Sequence, residues 1–178
     1  MSESFIEDIL AKSSVVGKPC TKETCTIELA DLTEIVESIY KLACALSEKM
    51  LYEYQGVFLK RTIEAILEHD GEMLTALWSR QSGKTEAIAN LAFACMVILP
   101  ALAEQFPDDW RFNITDDLGR YRGFKDGIIF GIYAPIKEQS EIMLDRVKSI
   151  VETENCQSVL EELGIEVVQN RGNRITLS

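Results

Sequence analysis

Trp78-Ser79-Arg80-Gln81-Ser82-Gly83-Lys84-Thr85 is the stretch on which the reading of this chain turns. Before it, Met73 to Trp78 (MLTALW) is a short apolar run of the length of a buried strand. After it, Glu86 to Glu104 reads as one long helix. A strand running into a loop that opens a helix at Gly-Lys-Thr is the geometry of a nucleotide phosphate site. Backbone N–H groups at a helix N-terminus point at the anion, and the helix dipole favours negative charge there. Gly83 lets the backbone approach a phosphate with no Cβ in the way. The Lys84 ammonium then belongs against the β- and γ-phosphates, and the Thr85 hydroxyl on Mg2+. Arg80, inside the loop, is placed to stabilise charge on a departing phosphoryl group. The strict pattern GxxxxGK[ST] has glycine where this chain has Trp78, so the reading rests on the flanking strand and helix.

Downstream, residues 107–126 are polar and turn-rich and read as a surface excursion. Gly127 to Ala134 (GIIFGIYA) is the best strand candidate, closed by Pro135 and followed by a helix over 137–152. A short helix near 156–163 ends at Gly164, and Ile165–Gln169 with Asn173–Leu177 form a hairpin around Arg171-Gly172. Upstream, Leu32, Ile35, Val36, Ile39, Leu42, Ala43 and Leu46 recur at helical spacing after Asp31 and Glu34, a capping-box pair. A second helix carries Val57, Ile63, Ile66 and Leu67 toward the core and stops near Asp70-Gly71. Ser13, Ser14, Gly17 and Pro19 break the first 26 residues, apart from an amphipathic piece around Phe5, Ile6, Ile9 and Leu10. Strand, helix, strand, helix in this order predicts an α/β fold. Its parallel sheet is flanked by helices and preceded by a helical N-terminal region.

The 178 residues carry a formal charge of −11, with 47% hydrophobic and 26% charged residues, which fits a globular chain and excludes wholesale disorder. Residues 1–70 hold 7 basic and 13 acidic groups, and 71–178 hold 11 and 16, so neither part is a basic nucleic-acid clamp. Cys20, Cys25, Cys44, Cys95 and Cys156 show no CxxC spacing and His69 is the sole histidine, which argues for reduced thiols rather than zinc. The N-terminus MSESFIEDIL lacks the pattern of a signal peptide, and the apolar run Leu91–Ala103 is short and contains Pro100. The expected setting is the cytoplasm.

The string Ser79 to Thr85 resembles the variant Walker A of large terminase subunits, the motors that package DNA into viral capsids. That family's loop commonly reads S-R-Q-x-G-K-[ST] without the usual first glycine, so Trp78 fits it. Ala134-Pro135-Ile136-Lys137-Glu138-Gln139 is similar to the family's next motif, A-P-x-x-x-Q. Tyr54-Gln55 stands where terminases and related helicases place an adenine-reading glutamine. The resemblance covers about residues 50–178. The periodicity makes residues 1–50 a helical arm or subdomain, and the resemblance makes 51–178 the N-terminal part of a P-loop ATPase core. It implies ATP and Mg2+ as cofactors, with Ser79, Gln81, Ser82, Gly83, Lys84, Thr85 and Glu86 forming the nucleotide site. Gln55 would read adenine, Arg80 and Lys84 would be catalytic, and Thr85 would ligate the metal. Double-stranded DNA, a portal protein and the small terminase subunit are the implied partners. A homo-oligomer in host cytoplasm, away from any membrane, is the implied setting.

Hydrolysis in this class needs a strand ending in Asp-Glu, and no Asp-Glu dipeptide occurs in the sequence. The chain also ends at Ser178 inside a predicted strand. The expectation is therefore the front of an ATPase domain that hydrolyses ATP weakly or not at all by itself. A helicase-like translocase and a non-hydrolysing nucleotide-binding interaction domain are the alternatives. Arg111, Arg120, Arg122 and Lys125 alternate with Trp110, Phe112, Tyr121 and Phe124 in the excursion, a pattern that can hold nucleic acid. Five aspartates there nearly cancel the charge, and a solvated loop with an aromatic anchor is the preferred reading. Arg171 and Arg174 are read as solvated turn residues.

Overall fold

A computed structural model describes residues 29–69, 71–107, 109–113, 123–125, 127–171 and 174–177. The expectations for the first 28 residues, including Cys20 and Cys25, and for Arg120, Tyr121, Arg122 and Gly172 lie outside them. Five helices and one hairpin follow in order: α1 (Leu29–Ser47), α2 (Glu53–Glu68), α3 (Lys84–Gln105), α4 (Lys137–Val151), α5 (Glu154–Leu163), β1 (Val167–Arg171) and β2 (Arg174–Leu177).

The helices are where the periodicity puts them. In α1, Ile35, Val36, Ile39, Leu42, Ala43 and Leu46 form one buried stripe. Asp31 lies inside α1, which is already helical at Leu29, rather than at its cap. In α2, Gln55, Gly56, Leu59, Ile63 and Leu67 are buried, whereas Val57 is 66% exposed and is no core residue. Val57 sits two positions from both Gln55 and Leu59, which turns it off their shared face. Gly56 permits the close approach of α2 to α1, since a Cβ there would come within 2.8 Å of the Tyr40 hydroxyl oxygen.

Helix α3 is apolar all round, and it is surrounded. Phe93, Ile98, Leu99 and Leu102 are fully buried, packed in one cluster with α1, α2, α4 and α5. It is long and apolar enough to cross a membrane, with a mean hydropathy of 1.9, but 72% of that window is buried within the fold. Pro100 lies inside the helix. At its edge, Asn90 Nδ2 donates to Ser47 Oγ at 2.9 Å, a buried polar link between α3 and the end of α1. Thr153 caps α5 by accepting from the Cys156 N–H at 3.2 Å, and its hydroxyl donates to the Leu46 carbonyl at 2.6 Å. The Cys95 and Cys156 thiols are each pushed up to about 12 by burial, so both are neutral in the fold.

The predicted parallel sheet, and with it the P-loop α/β architecture, is not present among the described residues. The fold is mostly helical, and its sheet has two strands, β1 and β2, running antiparallel with Val167 opposite Leu177 and Arg171 opposite Arg174. The hairpin was legible in the sequence. The two apolar segments expected as parallel strands, 73–78 and 127–134, have no strand partner among the described residues. Parallel strands are covered on both faces. Here Met73 and Leu77 are 90% and 96% exposed, and Ile129 and Tyr133 are 97% and 95% exposed. Ile128, Phe130 and Ile132 lean on the core while their neighbours face outward, so 127–134 is covered on one face only. In the described part of the excursion Phe112 is fully buried, and Arg111 is buried rather than solvated, with its guanidinium on the Asp109 carboxylate at 2.5 Å.

Candidate phosphate site

Residues 78–85 form a tight loop that hands the chain to α3. Two left-handed residues make the turn, Gln81 (φ 60°) and Gly83 (φ 71°), on either side of Ser82. Such a conformation costs a residue with a Cβ about 1–2 kcal/mol, and glycine nothing comparable. Inside the loop, Ser82 Oγ donates to the Ser79 carbonyl at 2.8 Å. Lys84 Nζ donates to the carbonyls of Trp78 and Ser79 at 3.2 and 3.1 Å. An ammonium has three donors, so Lys84 can keep these two bonds and still offer one to an incoming oxygen.

Helix α3 starts at Lys84 with Gly83 as its cap, and no side chain caps it. Its first intrahelical bond runs from the Ala87 N–H to the Gly83 carbonyl at 3.0 Å. The amides of Lys84, Thr85 and Glu86 precede that bond and are the donors a helix end presents to an anion. Lys84 is exposed, and Thr85 is half-buried in the same first turn. Ser79, Arg80 and Gln81 are exposed on the loop.

Helix α2 holds this loop from behind. Tyr54 Oη and Gln55 Nε2 both donate to the Ser82 carbonyl, at 2.7 and 2.9 Å. Gln55 Oε1 accepts the Tyr52 N–H at 2.8 Å, which also satisfies the first turn of α2. Trp78 packs edge-on against Tyr54 and Phe58, with ring centroids 5.6 and 5.3 Å away, and Tyr52 stacks on Tyr54 at 5.8 Å. Glu86 looks the other way. Its carboxylate pairs with Lys49 Nζ at 2.6 Å and Arg146 Nε at 3.7 Å, tying the first turn of α3 to the α1–α2 connection and to α4.

The structure thus brings together Gln55, Ser79, Ser82, Gly83 and Lys84 through direct contacts, with Thr85 and Glu86 following in the helix. Sequence reasoning missed Lys49 and Arg146, which have no local signal because they reach Glu86 from distant parts of the chain. It also missed the Tyr54 hydroxyl as a loop contact, although Tyr54-Gln55 was noticed as a pair. Among the described residues no cluster of three or more His, Cys, Asp or Glu side chains is gathered for a metal. A separate apolar cavity of about 930 Å3 lies between α3, α4, residues 127–132 and the hairpin, and is not lined by the loop. No family model, curated protein or solved structure matches the chain.

Proposed function

We propose that residues 78–85 bind the phosphates of Mg-ATP, and that the chain is the ATP-binding part of a viral DNA-packaging terminase motor. The observation that carries the first half is the strained Gln81–Gly83 turn, which delivers Lys84 and an uncapped helix N-terminus to one place. The donor set suits the ligand: amides and an ammonium for phosphate oxygens, and the Thr85 hydroxyl oxygen for a hard cation. Bound Mg2+ would neutralise phosphate charge, while the chain's own residues hold and orient the triphosphate. Arg80, exposed on the same loop, is the residue free to approach the γ-phosphate.

The second half rests on the resemblance of Ser79–Thr85 and Ala134–Gln139 to terminase motifs. In that reading double-stranded DNA, a portal protein, the small terminase subunit and further copies of the chain are the partners. The absence of an Asp-Glu dipeptide favours one second reading, a nucleotide-binding domain that does no chemistry. The test is calorimetric titration of Mg-ATPγS into the wild-type chain and Lys84→Ala. Loss of the ammonium should weaken binding about 10- to 100-fold. Equal binding by both proteins, or none by either, removes the phosphate reading; measured turnover of Mg-ATP then separates motor from silent binder.

A further inference from the structure

We propose that Gln55, aided by Tyr54, is a positioning residue that latches the phosphate loop to α2, and that it does not read a base. Gln55 is 3% exposed, and the two ends of its amide face partners that allow only one orientation. A backbone N–H can only donate and a carbonyl can only accept, so Oε1 must meet Tyr52 and Nε2 must meet Ser82. Reading an adenine edge takes one donor and one acceptor presented outward together; the second N–H and the second lone pair of the Gln55 amide are buried with the residue.

The latch acts on one peptide plane. No peptide bond among the described residues is cis, and in a trans peptide the C=O and N–H point in opposite directions. Two donors on the Ser82 carbonyl draw it toward α2. They thereby aim the Gly83 N–H away from α2, and with it set the entry of the chain into α3 at Lys84. The fit is close: a Cβ at Gly83 would lie 2.5 Å from Gln55 Nε2. Gly83 is therefore required twice, for its positive φ and for the room the latch occupies.

The affinity part of this inference rests on the proposed phosphate site; the latch itself does not, and the experiment separates them. Gln55→Glu keeps the acceptor for the Tyr52 N–H, so α2 keeps its first turn, but replaces the donor to Ser82 with a carboxylate oxygen. Backbone 15N relaxation of Gly83 should show an order parameter falling from about 0.85 to below about 0.6 in Gln55→Glu. Tyr54→Phe should give a smaller drop. In parallel, Mg-tripolyphosphate, Mg-ATP and Mg-GTP are titrated into wild type and Gln55→Glu. The latch predicts that all three weaken by the same factor, about tenfold. An unchanged Gly83 order parameter overturns the proposal. So does a loss confined to ATP with tripolyphosphate unaffected, which is the signature of a base reader. Should wild type bind none of the three, the phosphate site fails, and the Gly83 order parameter alone decides the latch.

Discussion

Replacing Gly83 by alanine should destabilise the chain by an amount with two separable parts. The first is conformational. At φ 71° an L-residue sits in the left-handed region, which costs about 1–2 kcal/mol relative to glycine. The second is steric. The new methyl would fall 2.5 Å from Gln55 Nε2, so the Gln55 side chain must leave and its bond to the Ser82 carbonyl is lost, about 0.5–1.5 kcal/mol. Together these give about 1.5–3.5 kcal/mol, read from urea unfolding at constant m-value. Only the second part involves Gln55. In the double variant Gly83→Ala, Gln55→Ala, the displaced bond is counted once and the clash is gone, while the cost of the positive φ stays. The double variant should therefore be more stable than the two single losses predict by about 1 kcal/mol, a coupling that residues in contact commonly show. Strict additivity would mean that Gly83 and Gln55 do not share the space argued for them. A Gly83→Ala loss below about 0.5 kcal/mol would mean that the turn is not held left-handed at all.

Other expectations follow from single contacts. Thr153→Ala removes the α5 cap and the bond to the Leu46 carbonyl, and should cost about 1–2 kcal/mol in urea unfolding, with Thr153→Ser recovering most of it. Glu86→Gln breaks the pairs with Lys49 and Arg146, both of which are partly exposed, so the loss should stay below about 1 kcal/mol and shrink between 0.05 and 0.5 M salt on the scale of ~10 Å screening. Among the three described thiols, half-buried Cys44 should react sooner with a thiol reagent at pH 8, whereas Cys95 and Cys156 are buried and should react only on unfolding. Those same thiols keep their protons in the fold up to about pH 12, whereas the unfolded chain loses them from about 9.0. Stability should therefore fall as pH rises through that window, and Cys95→Ser should flatten the fall measured by thermal unfolding.

The helices could be read because each writes its burial into its own sequence: the stripe from Ile35 to Leu46 and the wholly apolar stretch of α3 need no knowledge of what covers them. The sheet could not be read that way. The apolar run at 127–134 reports an extended chain that is covered somewhere, and the structure puts Ile128, Phe130 and Ile132 against the core. Whether another strand lies alongside is a property of the partner, and nothing in GIIFGIYA encodes it; the order strand, helix, strand, helix supplied a parallel sheet by rule, where Met73, Leu77, Ile129 and Tyr133 point into solvent instead. The site divides along the same line. Gly83 and Lys84 are adjacent in sequence and act through local geometry, a positive φ and a helix start, so their placement was legible. Gln55 was legible as a residue near the loop but not in its task, because the task depends on which way an amide 27 positions before Ser82 is turned. That orientation is fixed by Tyr52 on one side and Ser82 on the other, and because Gln55 is buried the N–H and the lone pair left over are turned away from any ligand in solvent.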